Sequence, residues 1–295
     1  MNRPLIALLL VLPTAVLRAQ VISIQDDRGQ RLRLDAPVQR IVSLAPHLTE
    51  LLYAAGAGPA VVGTPAFTDY PAAAQAVPVI GDAAAIDVER IVALRPDLVV
   101  AWRSGTPSQA VAELERLGLP VLVLEPNGLE GIAAEIETLG RAAGSERVAA
   151  TAAAHFRARV AALRRDYQHR RRVTLFYQVW RAPLMTVGGR QIIGDVIDLC
   201  GGANIFAHLP HLVPTVSPEA VLAADPEAIV TGSEQPAAEA LRVWRRWPQM
   251  RAVRQGNLLV IPADDISRAT PRLLDGAQRL CRALDRVRAA KAASP

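Results

Sequence analysis

The sequence predicts an α/β protein with two Rossmann-like lobes, each built on a parallel sheet, joined by a single long backbone helix. Segments with strand character alternate with segments of helical spacing, which is typical of parallel sheets covered by helices on both faces. Residues 145–171 interrupt this alternation with a run that contains neither Gly nor Pro. At 1.5 Å per residue a helix over this run would span about 40 Å, too long for one crossover of a compact sheet.

The third observation is an internal repeat: residues 88–99 resemble residues 218–230. In both segments a Glu, Glu89 or Glu219, opens a short helix, a Pro follows seven residues later, and an acidic residue and a strand come next. Two similar lobes around one connector create a cleft, and small-molecule sites usually lie in such clefts.

These patterns divide the chain of 295 residues into segments and elements. We predict a signal peptide at 1–19, an N-terminal arm at 20–37, an N-terminal lobe at 38–144, the connecting helix at 145–171, a C-terminal lobe at 172–288 and a tail at 289–295. The arm is predicted to be a hairpin that turns at 27–29. Strands are predicted at 40–44, 61–64, 98–101, 121–124, 173–177, 228–230 and 258–261. Helices are predicted at 49–55, 88–94, 108–117, 129–143, 193–199, 219–224 and 273–287.

The first residues have the three parts of an export signal. Arg3 supplies the positive start, residues 5–12 form an unbroken apolar run, and Ala19 offers a small residue before a cut. The apolar run is too short to span a bilayer comfortably, and Pro13 interrupts it. We therefore expect an exported protein that is cleaved near Ala19. A lipid anchor is not expected, because no Cys follows the apolar run.

Both cysteines, Cys200 and Cys281, lie in the second half of the chain on apolar faces. An oxidising compartment favours a disulfide between them, and two buried free thiols are the alternative.

The charge pattern argues against nucleic acid as a partner. The net charge is +5, and it falls to +3 when residues 1–19 are removed with Arg3 and Arg18. Four Trp, four Tyr and four Phe are too few for a basic face interleaved with aromatic residues. The one dense basic run, at 164–172, is interpreted as the solvated end of the long helix.

No constellation typical of an enzyme is present, so the sequence favours a binding protein. Nucleophile elbows, phosphate-cradling loops, dinucleotide fingerprints and zinc-protease motifs are all missing. His208 and His211 are three residues apart in an irregular stretch, where a polar loop role and metal contact are the two alternatives. We predict no metal site, because a structural zinc site needs four ligands.

Aromatic residues follow strands in both halves, where ligand surfaces of parallel sheets lie. Trp102 follows the strand 98–101 and precedes a flexible loop with Gly105; Phe67 and Trp180 have similar placements. A Trp buried in its own lobe is the alternative for Trp102. We predict an apolar clamp formed by these three rings, with polar contacts added by Asp264, Asp265 and Arg268.

The paired glutamates have two interpretations. In the first turn of a helix each carboxylate is favourably placed, which is worth about 0.3–1 kcal/mol. Alternatively, the two exposed carboxylates, one on each lobe, engage two basic residues of a partner protein. Such a pair of contacts fixes the orientation of the two proteins.

The chain resembles the periplasmic vitamin B12-binding proteins of ABC importers, within the class III, helical-backbone substrate-binding proteins. The segments that carry the resemblance are 40–46, 49–50, 68–71, 89–98, 101–103, 200–206, 216–219 and 268–272. The similarity extends from about residue 38 to 287. These motifs are specific for the wider class of cobalamin, haem and siderophore binders and less so for cobalamin itself.

The resemblance implies a ligand held between two lobes, a cobalamin or related corrinoid as cargo, and no resident cofactor. It implies that Glu89 and Glu219 dock on arginines of the permease dimer at the inner membrane, and that Cys200 and Cys281 form a disulfide. Trp102 matches a contacting Trp, and Phe67 stands where the family has a contacting Tyr. The segment that matches a contacting loop comprises Asp264, Asp265, Ile266, Ser267 and Arg268.

Two further Trp of that family are replaced here by Ala83 and Val213, and Trp180 has no counterpart and compensates in our interpretation. The hypothesis is a monomeric periplasmic protein that captures a corrinoid and delivers it to an ABC permease. The rivals are a haem or ferric-siderophore binder of the same class, an exported hydrolase and an adhesin-like module.

Overall fold

The computed structural model describes residues 21–82 and 85–292. The predicted signal peptide, the replaced position Ala83 and residues 293–295 of the predicted tail lie outside the described residues. The strands are Ile22–Gln25 (β1), Arg31–Leu34 (β2), Ile41–Ser43 (β3), Val61–Gly63 (β4), Leu98–Trp102 (β5), Val121–Leu124 (β6), Val173–Gln178 (β7), Trp180–Arg181 (β8), Leu184–Met185 (β9), Gly202–Asn204 (β10), Ala228–Gly232 (β11) and Leu258–Ile261 (β12).

The α-helices are Pro46–Ala54 (α1), Val88–Ala93 (α2), Ser108–Arg116 (α3), Gly128–Ala143 (α4), Glu146–Tyr167 (α5), Ile192–Leu199 (α6), Pro218–Ala224 (α7), Ala237–Ala240 (α8), Arg251–Arg254 (α9), Ala263–Ser267 (α10) and Leu273–Ala292 (α11). Short 3₁₀ turns occupy Gly58–Ala60, Ala72–Ala76 and Arg242–Arg246. Within the described ranges, no helix has the length and apolar character needed to cross a membrane.

The fold class predicted from the sequence is confirmed. The first sheet has the strand order β4-β3-β5-β6 and the second the order β10-β7-β11-β12, and every pairing within them is parallel. β3 and β6 are buried along their whole length and β5 is buried up to Ala101, as expected for sheets covered on both faces. The predicted arm is a hairpin, since β1 and β2 pair in antiparallel fashion.

The two copies of the internal repeat form equivalent helices, α2 and α7. α2 leads into β5 and α7 leads into β11, and both of these strands lie at interior positions of their sheets. Each helix begins with a side-chain cap: Asp87 accepts from the Arg90 backbone N–H, and Ser217 accepts from the Ala220 backbone N–H. The repeated sequence therefore encodes the same helix–strand unit in both lobes.

The connector between the lobes is α5, which ends at Tyr167 rather than at the predicted residue 171. Its 22 residues span about 33 Å. It packs along α4, where the close approach requires Gly140: a Cβ at that position would lie 2.2 Å from the Cβ of Ala149. The connector is thus a helix fixed to the N-terminal lobe.

The arginines that follow α5 are exposed, as expected for a solvated helix end, and they also pair with carboxylates of the C-terminal lobe. Within the described part of the chain, each of Arg170, Arg171 and Arg172 has a carboxylate partner. The pairs are Arg170–Asp285 at 3.0 Å, Arg171–Glu227 at 3.0 Å and Arg172–Asp198 at 2.7 Å. These contacts attach the end of the connector to the second sheet and its helices.

The predicted disulfide is confirmed. Cys200, at the end of α6, is bonded to Cys281 in α11, and both residues are fully buried. The bond closes a separation of 81 residues, for which loop-closure entropy gives about 3–5 kcal/mol of stabilisation. It ties the closing helix, which continues to Ala292, to the lobe it covers.

A carboxyl group lies unpartnered inside the N-terminal lobe. Both side-chain oxygens of Glu135 in α4 are buried without a hydrogen-bond partner. Burial, followed by the nearby charges of Asp27 and Glu125, raises the pKa of Glu135 to about 9. Glu135 is therefore protonated at neutral pH in the folded protein.

We predict that Glu135→Gln stabilises the protein at alkaline pH. The unfolded chain releases this proton above its ordinary pKa of 4.5, whereas the folded protein keeps it to about 9. Between these values the unfolded state binds fewer protons, so the free energy of unfolding falls by up to ~1.4 kcal/mol per pH unit. Urea unfolding should show that the stability of the variant relative to the unmodified protein rises from pH 5 to pH 8.

The matched control is Glu137→Gln on the same helix. The hydrogen bonds from Arg157 lower the pKa of Glu137, so replacing this ionised carboxylate should not increase the free energy of unfolding at pH 8. Parallel stability curves for Glu135→Gln and the unmodified protein between pH 5 and pH 8 would contradict the prediction.

Candidate functional site

The carboxyl ends of the two sheets face each other across a cleft. Arg268, which follows β12 and α10, donates to Asp69 Oδ1 at 2.6 Å and to the Phe67 carbonyl at 3.4 Å, and both acceptors follow β4 of the other lobe. Ligands of parallel α/β sheets bind at the carboxyl ends of the strands. The cleft between these ends is therefore the candidate site.

The wall formed by the N-terminal lobe contains a cavity of about 310 Å³. Its lining is mostly apolar and comes from the segments that follow β3, β4 and β5. The lining residues are Leu44, Ala45, Pro46, His47, Pro65, Ala66, Phe67, Asp82, Trp102 and Gly105. Two of the three predicted aromatic contacts, Phe67 and Trp102, thus share one cavity.

Trp102 borders the cavity and also packs on the core of its lobe. The loop after it is a tight turn and not the flexible segment expected from Gly105. The Trp102 backbone N–H donates to Thr106 Oγ1 at 3.0 Å, and the Thr106 N–H donates back to the Trp102 carbonyl at 2.8 Å. A Cβ at Gly105 would lie 1.8 Å from the indole ring. The turn therefore fixes the indole at the cavity.

Phe67 presents its ring to solvent from a strained backbone. Its side chain is 80% exposed, and its φ of 64° lies in the left-handed region that bulky residues avoid. Thr68 Oγ1 donates to the Pro65 carbonyl at 2.7 Å and tightens the same turn. Strain of this kind is concentrated at ligand-binding sites, which agrees with the position of Phe67 beside the cavity.

His47 is a cavity residue that the sequence patterns did not single out. It is 7% exposed, its ring stands edge-on to Trp102 with centroids 4.9 Å apart, and its Nε2 has no hydrogen-bond partner. Burial, with a smaller effect of Arg268, lowers the pKa of His47 to about 4, so the imidazole is neutral. The signal available in the sequence was the position of His47 at the start of α1, four residues beyond the end of β3.

The wall formed by the C-terminal lobe contains a larger and more polar cavity of about 560 Å³. It lies at the ends of β7 and β11, with the β8–β9 hairpin at its side. The lining residues are Gln178, Val179, Trp180, Arg181, Ala182, Thr231, Gly232, Ser233, Gln235, Glu239, Ala240 and Arg242. The two walls of the cleft thus differ in chemistry.

Trp180 belongs to this second wall and does not line the cavity of Phe67 and Trp102. Its ring is 62% exposed, and its Nε1 donates to the Ala182 carbonyl at 3.0 Å within the β8–β9 hairpin. The three aromatic residues therefore stand on two separate walls rather than in one shared cavity.

Residues 264–268 line neither cavity, and all of them except Arg268 belong to the short helix α10, where a loop was expected. The prediction that Ile266 contacts the ligand is wrong, because its side chain is fully buried in the core. Asp264 pairs with Arg268 at 3.1 Å, and Asp265 pairs with Arg279 at 3.3 Å. Ser267 forms a hydrogen bond with the buried Tyr177 hydroxyl.

Arg268 and Arg272 reach from the C-terminal lobe to one buried carboxylate of the N-terminal lobe, that of Glu50 in α1. Glu50 is 3% exposed. Its Oε1 lies 3.0 Å from Arg268 Nη1 and 2.7 Å from Arg272 Nη2, and its Oε2 accepts from Arg272 Nε at 3.0 Å. The Arg272 guanidinium also stacks 4.4 Å from the centroid of the Tyr70 ring. We refer to Glu50, Asp69, Asp264, Arg268 and Arg272 as the interlobe cluster.

Within the interlobe cluster, Asp69 and Asp264 from opposite lobes share a hydrogen bond beside Arg268. Burial opposes ionisation of Asp69, but the hydrogen bond from Arg268 lowers its pKa below the ordinary value. Burial raises the pKa of Asp264, and the charge of Asp69 adds to that rise against the effect of Arg268. Asp264 is thus the carboxyl group that holds a proton more readily.

Glu89 and Glu219 are exposed in the first turns of α2 and α7. Neither takes part in an ion pair with another described residue. His208 and His211 are exposed, and His208 lies near the Phe206 ring, with centroids 6.3 Å apart. Within residues 21–82 and 85–292 no group of three or more His, Cys, Asp or Glu side chains has metal-site geometry.

Comparison with known proteins gives consistent matches along the chain. The model of the family described as "Periplasmic binding protein" matches residues 41–264. A vitamin B12-binding protein of Vibrio campbellii is 35% identical over 255 residues, which cover 86% of this chain and 92% of that protein.

Among solved structures, the chain is also similar to periplasmic binding proteins. The periplasmic vitamin B12-binding protein BtuF of Vibrio cholerae is 35% identical, with a TM-score of 0.78 over 85% of this chain and 98% of that chain. The periplasmic heme-binding protein RhuT of Roseiflexus sp. RS-1 is 25% identical, with a TM-score of 0.73 over 84% and 98% of the two chains.

We predict that Glu50→Gln destabilises the protein by about 3 kcal/mol, because two arginines lose a buried carboxylate partner. The control is Asp275→Asn, which removes the 49% exposed partner of Arg159 and should cost less than about 1 kcal/mol. Urea unfolding followed by circular dichroism measures both. Equal small losses for the two variants would show that the interlobe cluster contributes no more than a surface ion pair.

Proposed function

The chain belongs to the periplasmic binding protein family, and we propose that it captures cobalamin or a related corrinoid between its lobes and delivers it to an ABC importer. In this proposal it acts in the periplasm after cleavage of the predicted signal peptide near Ala19. It works as a monomer without catalysis and without a resident cofactor. The corrinoid is cargo and not part of the protein.

The observation that carries the proposal is the aromatic cleft at the carboxyl ends of both sheets. Phe67 and Trp102 form an apolar wall on one lobe, and Trp180 stands on the wall of the other. A flat macrocycle with a large apolar face matches rigid aromatic side chains, which bind it at low entropic cost. Identities of 35% to relatives named as vitamin B12-binding proteins support a corrinoid over other macrocycles.

Ligand binding tests the proposal. Purified protein titrated with cyanocobalamin should bind one equivalent, with quenched tryptophan fluorescence and co-elution of the corrin absorbance. Trp102→Ala should weaken binding by about tenfold or more, since a buried aromatic contact of this size contributes more than 1 kcal/mol.

The control variant is Trp247→Ala, because Trp247 packs beside Trp244 and lines neither cavity. It should keep the affinity for cyanocobalamin. Haem is the competing ligand, and a protein that binds haem but no corrinoid would refute the assignment of the cargo.

We further propose that Glu89 and Glu219 dock on arginines of the permease dimer. One exposed carboxylate on each lobe, at equivalent helix starts and without a partner among the described residues, supports a symmetric two-point contact. Charged pairs at such a surface fix the orientation of the two proteins and increase their rate of association.

The double variant Glu89→Ala/Glu219→Ala should bind corrinoid as before and lose uptake in cells that depend on this importer. Glu146→Ala is the control, because Glu146 is also an exposed acidic residue in the first turn of a helix, α5. Uptake by the double variant at the level of the control would contradict the docking role.

A further inference from the structure

The cavity of the C-terminal lobe carries cationic groups for which the apolar N-terminal wall has no counterpart. Arg181 and Arg242 both line it, and both are exposed. Neither guanidinium forms an ion pair or a hydrogen bond with another described residue. Glu239 is the acidic residue in the lining and lies beyond ion-pair distance of both arginines. The lining therefore has an excess of positive charge.

These arginines differ from most others that lie near the cleft or the connector. Arg157, Arg159, Arg268 and Arg272 each have a carboxylate partner at 3.0 Å or less. A guanidinium in a concave site without such a partner is available for a planar anion, which it binds through two parallel hydrogen bonds.

A buried amide completes the donor set. Gln178, at the end of β7, is 4% exposed and lines the same cavity. Its Oε1 accepts from Trp244 Nε1 at 2.8 Å. Because an indole N–H can only donate, this bond fixes which end of the amide is the oxygen. The amide NH₂ of Gln178 is left as a donor toward the cavity. Thr231 Oγ1 donates to the Gln178 carbonyl at 2.9 Å and holds the backbone of the residue.

We propose that Arg181, Arg242 and Gln178 form an anion subsite that receives a phosphodiester carried by the ligand. The inference rests on the proposed function: with the macrocycle against Phe67 and Trp102, the polar side of the ligand faces the wall of the C-terminal lobe. In a complete cobalamin the peripheral anion is the phosphodiester of the nucleotide loop. The subsite therefore selects corrinoids that carry the loop over corrinoids that lack it.

The test compares cyanocobalamin with dicyanocobinamide, which has the corrin ring but no nucleotide loop. Dissociation constants are measured by fluorescence titration for the full-length mature protein, for Arg181→Gln/Arg242→Gln and for Arg245→Gln. Arg245 is an exposed arginine near Arg242 that does not line the cavity. The unmodified protein and the control should prefer cobalamin by about tenfold or more, as expected for charge-assisted hydrogen bonds.

In the double variant this preference should fall to about threefold or less, while the affinity for cobinamide stays unchanged and so shows that the lobe is intact. Added salt should weaken the binding of cobalamin to the unmodified protein more than the binding of cobinamide, a comparison that needs no variant. A preference that is equal in the double variant and the unmodified protein would overturn the anion subsite alone. Failure of the unmodified protein to bind either corrinoid would overturn the proposed function with it.

Discussion

The arrangement of the two lobes depends on one buried carboxylate. Glu50 sits on the first helix of the N-terminal lobe and pairs with both Arg268 and Arg272 of the other lobe. A carboxylate removed from water is stable only when its oxygens are satisfied, and here the second lobe supplies every ion-pair partner that the described residues give it. The covalent connector α5 joins the lobes, but side-chain pairing of this kind fixes how the edges of the sheets meet. Arg268 also bonds to the Phe67 carbonyl, so the same cluster links lobe position to the strained turn that presents an aromatic ring to the cleft.

The elements that the sequence predicted well are those whose stability is local. The apolar runs at 98–101 and 121–124, which form most of β5 and all of β6, are buried. The two helices of the internal repeat begin with capping side chains that can be recognised in the sequence. The end of α5 was misjudged because Arg170 and its neighbours find carboxylates on the second lobe, an effect that no helical pattern contains. The short helices α8, α9 and α10 have four or five residues each, too few to show a period.

The site was predictable to the extent that it follows the strand ends. Trp102 is the last residue of β5 and Phe67 lies in the turn beyond β4, and this placement at the strand ends correctly put them on a common surface. The interlobe cluster could not be found in the same way, since Glu50 and Arg268 are 218 residues apart in sequence and meet only in the folded protein. His47 was missed because a single histidine in an apolar context usually belongs to the core. Arg181 and Arg242 were missed because isolated arginines carry no pattern.

The two walls of the cleft suggest a ligand with two chemical faces. The wall of the N-terminal lobe is apolar and aromatic, whereas the wall of the C-terminal lobe combines the exposed ring of Trp180 with cationic and amide donors. A structure determined from crystals grown with cobalamin tests this account most directly. The account predicts one corrinoid between the lobes, with Phe67 and Trp102 against the macrocycle and the interlobe cluster intact beside it. Corrinoid density elsewhere on the molecule, with the cleft empty, would contradict it.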